Sequence, residues 1–545
     1  MASVKPSTLR IGQRYRAERL DGPYDAVIIG SGMGGLTTAA LLSRLGKKVL
    51  VLEQHYTIGG FTHSYERQGY EWDVGVHYIG DMGTRTVARR LMDFLTQGQM
   101  QWAPMDAAYD RFFLGDQQYD AVAGKQAFKD NLLNDFPDEG KAINQYLAMI
   151  KAASDAFPLQ NIKRLLNPWQ QKLFAPILRY KTPDFINKTT WDVLKGLTNN
   201  EQLIAVLTGQ WGDYGLPPQQ SSFMMHALVA RHYLHGGFYP VGGSWRISET
   251  IVPRIERAGG KVFTYARVDE IVVEQGQTRG VRMSDGHLIE CDCVISSAGV
   301  LNTFKHLLPA AVSQAAGYTQ KLEQVTPSIG HLGGYIGLKG TAVELGLPKT
   351  NFWIYPSADY QGNVQRFVAD RTEPFPVVYV SFPSAKDPDF ARRHPDLSTI
   401  EIVAPAPYEW FEPWADQTWG KRGEDYEALK AELGERLMEV LYEKLPQLRG
   451  KVDYVEFSTP LSTQHFNAYS RGELYGMDHT PERFQQEWLK PKTNIKGLWL
   501  TGQDILSCGV VGAMMSGVLT TIALVGPIKA LPVLKQIFVD DQATP

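Results

Sequence analysis

Three glycines spaced as Gly30-x-Gly32-x-x-Gly35, an acid at Glu53 and a glycine pair at Gly59-Gly60 are the residues whose types and spacing best suit a phosphorylated ligand. Gly30 permits a tight turn, Gly32 lets the backbone approach a pyrophosphate, and Gly35 lets a helix pack closely on a strand. Gly34 is counted with them as a cofactor contact. Free N–H groups at the start of the following helix, together with its dipole, favour the negative charge. Glu53 stands about 20 residues past the turn, where a carboxylate accepts hydrogen bonds from ribose hydroxyls and disfavours a 2′-phosphate. NADP is therefore not expected at this site. A second candidate for chemistry is the His77-Tyr78 pair within YEWDVGVHYIG (residues 70–80), two side chains able to position a substrate or relay a proton.

The elements that must place these residues are legible from periodicity. Ala26 to Ile29 reads as a buried strand, Leu36 to Leu45 has helical spacing, and Val49 to Leu52 reads as a second strand ending at Glu53. Further strand-like pieces follow much later: Gly259 to Val273, Gly280 to Met283, Cys291 to Ser297 and Ile495 to Gly502. The fold class is α/β, a Rossmann-type dinucleotide domain assembled from 24–100, 226–300 and 490–530. The insertions 101–225 and 301–489 are expected to form an α+β substrate domain, with 1–23 as an N-terminal extension. The first insertion reads as helical and aromatic. The second carries the β-prone runs Ile329 to Leu338 and Val377 to Phe382 and a charged helix near Glu424 to Lys444.

Composition excludes several classes. The 55 Lys and Arg nearly balance the 58 Asp and Glu, so no global field invites nucleic acid. Three cysteines, Cys291, Cys293 and Cys508, are too few for a disulfide framework. Cys291-x-Cys293 reads as alternation along a strand, and no metal site is expected. The stretch before Tyr24 has no apolar core of a secretory signal. Ile505 to Ile528 is free of charged residues for 24 positions, yet Gly509, Gly512 and Gly517 punctuate it, and a buried helix beside a cofactor explains it better than a transmembrane helix. Residues 156–183 carry Lys163, Arg164, Lys172, Arg179 and Lys181 among large apolar side chains with no acid, a pattern suited to peripheral membrane contact. A cytoplasmic or peripherally membrane-associated protein is the expectation.

Several motifs together carry a resemblance: the opening unit, residues 70–80, Tyr239-Pro240-x-Gly242-Gly243, Val294 to Gly299, STPLSTQHFNAYSRGELYGMDHT (Ser458 to Thr480) and LTGQDILSCGVVGAMMSG (Leu500 to Gly517). In these the chain resembles the retinol saturase family of all-trans-retinol 13,14-reductases, within the phytoene desaturase and carotenoid isomerase group, from about residue 24 to residue 523. The resemblance implies an FAD-dependent oxidoreductase, with a fold like those of glutathione reductase and the amine oxidases, acting on C=C bonds of a long apolar polyene. In flavoproteins of this type a glycine pair beyond the second strand lets the backbone pass close to FAD. The matching residues imply Gly30, Gly32, Gly34, Gly35, Glu53, Gly59 and Gly60 at the ADP half and Val268 at the adenine. They imply Gly502 and Asp504 at the pyrophosphate and ribityl chain, and Val511, Gly512 and Ala513 at the flavin pyrimidine. Phe61 stands where many relatives of the wider superfamily have Arg after the glycine pair, which removes one phosphate contact. The hydrophobic leader of the vertebrate enzymes has no counterpart here, so their endoplasmic-reticulum address is not carried over.

The implied chemistry is a saturation with hydride from reduced flavin, with His77 or Tyr78 over the ring and Tyr469, Tyr475 and His479 as weaker proton donors. Desaturation and cis-trans isomerisation use the same scaffold and stay open, as does a non-catalytic isoprenoid carrier of Rab-escort type. No second strand-GxGxxG-helix unit is present; NAD(P)H, a separate reductase or a quinone all stay open as electron partners.

Overall fold

The computed structural model describes residues 9–166, 169–170, 172–173 and 183–539. Six parallel strands form the dinucleotide-type sheet: β1 (Gln13–Arg14), β2 (Ala26–Ile29), β3 (Val49–Leu52), β4 (Lys261–Thr264), β5 (Val294–Ser296) and β6 (Leu498–Leu500). Their order is β1-β4-β3-β2-β5-β6. The central strands are apolar on both faces because both faces are covered. Ala26 and Ile28 of β2 join one apolar layer with Leu36, Leu41, Ile251 and Met514, whereas Val27 and Ile29 join the other with Leu50, Phe263, Val268 and Ile271. The pleat sends alternate side chains to opposite sides.

Two helices cover the first layer. α1 (Met33–Arg44) leaves β2 through the glycine turn, and α2 (Gly509–Val525) follows β6. They approach closely: a Cβ on Gly517 would lie 2.7 Å from Cβ of Thr37 and 2.9 Å from the Gly34 carbonyl. The 24-residue uncharged stretch thus contributes a 17-residue helix packed on α1. Among the described residues no helix is long and apolar enough to cross a membrane.

A second sheet of seven strands is assembled in the order Val452–Ser458, Gly330–Lys339, Leu397–Ala406, Val378–Ser381, Asn351–Tyr355, Ala108–Leu114, Gln117–Val122. All its pairings are antiparallel except that of Asn351–Tyr355 with Ala108–Leu114. Helix Glu424–Lys444 packs Leu433, Leu437 and Leu441 against Ile336, Ile400 and Ile402 of this sheet. Its first turn carries Glu424, Asp425 and Glu427 and its last turn Lys444, matching the helix dipole at both ends.

The structure differs from sequence expectation in three places and adds detail in a fourth. The first insertion, read as helical, supplies the two strands Ala108–Leu114 and Gln117–Val122 to the second sheet. Gln13–Arg14, read as extension, pairs with β4 at the sheet edge. Cys291 and Cys293 precede β5 instead of alternating along it. Of the basic stretch 156–183, residues 167–168, 171 and 174–182 lie outside the described residues; Arg164 turns inward and donates to the carbonyls of Phe484, Leu489 and Ile505. Three backbone carbonyls satisfy that guanidinium, while Ile162, Trp169 and Leu173 of the same stretch are 50%, 64% and 64% exposed.

Candidate functional site

One cavity of about 1250 Å³ runs from the glycine turn, past the start of α2, to an aromatic chamber beside the second sheet. At its first end Gly30 has φ +92°, a left-handed conformation that turns the chain off β2. A Cβ on Gly35 would fall 2.3 Å from the Gly30 carbonyl oxygen, and one on Gly34 2.6 Å from both Cα and N of Gly502. The turns after β2 and β6 therefore touch backbone to backbone, closing the two ends of the chain on one another. A Cβ on Gly32 would instead meet nothing within 4 Å, since it projects into the cavity. The helical bonding of α1 starts with Leu36 N donating to Gly32 O, which leaves the amides of Gly32, Met33, Gly34 and Gly35 without an intrahelical acceptor.

Glu53 is held by Ser31 N (2.9 Å) and Ser31 Oγ (2.7 Å) on Oε2 and by His55 N (2.9 Å) on Oε1. It lines the cavity with Gly59 and Gly60, and a carboxylate retains acceptor capacity beyond these three donors. Gly59 (φ +124°) and Gly60 bring the next loop over Gly32, with a Gly60 Cβ position 3.1 Å from the Gly32 Cα. Val268 lines the same end. Gly502, Val511, Gly512 and Ala513 line the middle, where α2 begins. Its N-cap Cys508 gives no side-chain cap; the Cys508 amide donates to His479 Nε2 at 3.0 Å. An open amide turn at α1, another at α2 and an acid between β3 and the glycine pair are a donor set that fits both halves of a dinucleotide.

Two expected contacts are placed elsewhere. Asp504 is buried away from the cavity: Oδ2 accepts from Val300 N (2.8 Å) and Oδ1 from Met477 N (3.0 Å). It pins two loops behind Gly502, and its neighbour Gln503 lines the cavity in its stead, donating to Tyr469 OH at 2.8 Å. Gly35 likewise packs rather than lines. His479 serves the Cys508 amide behind the wall, whereas Tyr469 and Tyr475 line the cavity, Tyr475 OH donating to Gly212 O at 2.6 Å.

At the aromatic end His77 and Tyr78 both line the cavity, and each leads into a buried polar network. His77 Nδ1 lies 2.7 Å from Glu401 Oε2, and Asp73 N donates to Glu401 Oε1 at 2.8 Å. Lys386 Nζ donates to His77 O (3.0 Å), to Ser381 Oγ (2.8 Å) and to Asn351 Oδ1. Burial pushes His77 down to about 3, Glu401 up to about 8, Asp73 up to about 6 and Lys386 down to about 7. Burial thus favours the uncharged form of both partners, an arrangement in which the Glu401 carboxyl O–H donates to Nδ1 of a neutral His77 ring.

Tyr78 stacks on Tyr233 with ring centroids 4.2 Å apart, and its hydroxyl sits between two acids, 2.9 Å from Asp110 Oδ2 and 3.1 Å from Asp213 Oδ2. Asp110 also accepts from Gln210 Nε2 (2.7 Å) and Asn351 Nδ2 (2.8 Å). Asp110, Asp213, Glu401 and Lys386 carry no motif in the sequence. The one local signal is an acid at an inward position of an aromatic strand, Asp110 in AYDRFFL.

A family model described as an NAD(P)-binding Rossmann-like domain matches residues 28–95. Cyclohexylamine oxidase from Brevibacterium oxydans shares the fold, with a TM-score of 0.58 at 16% identity, covering 94% of this chain and all of that one. Prolycopene isomerase from Arabidopsis thaliana is 26% identical over 95% of this chain and 85% of its own. All-trans-retinol 13,14-reductase from Homo sapiens is 38% identical over 536 residues, 94% of this chain and 87% of the human protein. A match of that identity along nearly the whole chain, on a structure with an oxidoreductase fold, establishes that this protein belongs to the all-trans-retinol 13,14-reductase family of enzymes.

Proposed function

We propose that the protein binds FAD along the glycine-lined length of the cavity and reduces one C=C bond of a retinoid in the aromatic chamber. The observation carrying this reading is the continuity of the two. A cavity of about 1250 Å³ exceeds the roughly 300–1,000 Å³ of a single-ligand pocket, which leaves room for a dinucleotide and an apolar partner end to end.

In this reading Gly30, Gly32 and Gly34 with the α1 amides hold the pyrophosphate, while Glu53 accepts from the ribose and Gly59, Gly60 and Val268 flank the adenosine. Gly502, Val511, Gly512 and Ala513 meet the flavin end, and Asp504 positions Gly502 from behind. Bound and reduced, FAD supplies two electrons and one hydrogen to a substrate carbon. The first turn of α2 favours negative charge placed against it, by about 0.3–2 kcal/mol. Tyr78, Trp211, Tyr233, Trp353 and Tyr379 give the polyene an apolar bed that keeps water from the reacting carbons. His77, neutral and fixed through Nδ1 on Glu401, orients the substrate with its other ring edge.

The test is anaerobic incubation of FAD-loaded, dithionite-reduced protein with all-trans-retinol, products read by mass. A gain of two mass units is expected. Unchanged mass with an altered absorption spectrum would favour the isomerase reading that the prolycopene isomerase relatives suggest, and loss of two by the oxidised protein a desaturase. His77→Ala checks the orienting role: a product of the same mass with scrambled regiochemistry is expected, and an unaltered product would remove His77 from the mechanism.

A further inference from the structure

Two acids, Asp110 buried and Asp213 half-buried on the cavity wall, share one phenol at the inner end of the chamber. Asp110 lies in the strand Ala108–Leu114, Asp213 closes the short 3-10 turn Trp211–Asp213, and Tyr78 reaches both. A phenol has a single hydrogen to give. The Gln210 and Asn351 amides donate to Asp110 at 2.7 and 2.8 Å and favour its ionised form, which makes Asp110 the acceptor of the Tyr78 hydrogen. With the Tyr78 hydrogen on Asp110, the 3.1 Å contact to Asp213 is favourable only if Asp213 is itself protonated and donates to the Tyr78 oxygen. Two ionised carboxylates so close in a dry site would repel. Burial together with the Asp110 charge raises Asp213 well above the usual carboxylate range, in the same sense as the geometry. Among the described residues the titratable groups that interact with it are Asp110, Cys508 and the tyrosines Tyr78, Tyr109, Tyr214, Tyr233, Tyr355, Tyr379 and Tyr475, none of them cationic.

Asp213 also stands at the right place along the cavity. It lines the wall, and its carbonyl lies 3.6 Å from Sγ of Cys508, the residue immediately before α2. Asp213 Oδ1 makes no hydrogen bond to any described residue. The χ2 torsion of an aspartate is broad and roughly two-fold, so a half-turn exchanges the two oxygens and carries the acid O–H from Tyr78 to the cavity.

We propose that Asp213 is the general acid of this protein, giving its carboxyl proton to the second carbon of the double bond; the inference rests on the reductase reading above. In the balanced step the substrate π bond is replaced by two C–H bonds. One carbon takes two electrons and a hydrogen from the reduced cofactor, which is oxidised. The other takes the Asp213 proton, with the Asp213 O–H bond breaking. The carboxylate so formed is stabilised by the Tyr78 hydroxyl turning to it and is reprotonated from water through the cavity mouth. Asp110 is a positioning residue that keeps the Asp213 proton in place.

The test compares wild type with Asp213→Asn, first without cofactor. Infrared difference spectra at pH 7 should show a protonated-carboxyl C=O band, shifted in D2O, that Asp213→Asn removes. With FAD bound and reduced, mixing with all-trans-retinol should reoxidise the Asp213→Asn protein roughly 100-fold or more slowly, the usual range for loss of a general acid. The wild-type rate should fall at alkaline pH, as the acid deprotonates, and that limb should vanish in Asp213→Asn; Asp213→Glu should keep it. Saturation by wild type with an equally fast Asp213→Asn protein overturns the proposal alone. A wild type that leaves the retinoid mass unchanged overturns the reductase reading and the proposal with it.

Discussion

The glycine-lined end of the cavity is drawn from short runs in which neighbours in sequence act together, whereas the acid end gathers Tyr78, Asp110, Asp213, Asn351, Lys386 and Glu401 from six separate places in the chain. The first end needs absence, backbone with no side chain on it. The second needs surplus, side chains whose charges are hard to bury unless they answer one another. A pyrophosphate site can therefore be written in one motif, while a dry acid-base site has to be assembled by the fold.

The contrast predicts different kinds of failure. Gly34→Val should have the largest effect, since its Cβ would sit 2.6 Å from the Gly502 backbone. Overpacking of that kind costs about 1–3 kcal/mol, and we expect the yellow FAD complex to lose its cofactor on desalting. A variant that retains FAD as wild type does would show that the two chain ends need not touch. Tyr78→Phe should come next. It leaves both acids folded in place and removes the hydroxyl between them, so flavin reoxidation by retinol should slow roughly 10- to 100-fold, matching about 1.5–3 kcal/mol for a hydrogen bond to a charged group. Unchanged turnover would separate Tyr78 from the acid pair.

The smallest effect is one of stability. Burial lifts Glu401 from 4.5 to about 8, so its contribution is full below the unfolded value and is lost as pH rises through the folded one. Comparing wild type with Glu401→Gln isolates it from His77, Asp73 and Lys386. The wild-type unfolding temperature should decline relative to that of Glu401→Gln as pH goes from 4.5 to 7, and a constant difference would count against a neutral, buried Glu401.

How much could be read beforehand follows the same division. The opening strand-turn-helix, β6 and the helix after it were legible, because apolar runs, glycines and helical spacing report local geometry. Helix Glu424–Lys444 was legible from its charge pattern. The strand Ala108–Leu114 was not: its aromatic residues suit a helix or a strand until the partner Asn351–Tyr355 is known. Asp504 was implied as a ligand contact by the resemblance of its motif, yet three dimensions turn it toward Val300 and Met477. Arg164, one of five bases in a stretch suited to peripheral membrane contact, donates to three carbonyls, a role its sequence neighbours do not signal. Asp213 and Lys386 had no signal, since what distinguishes them is contact with residues far away in the chain.

The central claim, that one continuous cavity brings FAD and a retinoid into reacting contact, is tested most directly by anaerobic single turnover. Reduced, FAD-loaded protein is mixed with a substoichiometric amount of all-trans-retinol, and the flavin spectrum and the retinoid mass are followed together. The account predicts one oxidised flavin for each retinoid that gains two mass units. A flavin that stays reduced while retinol remains unsaturated would contradict it.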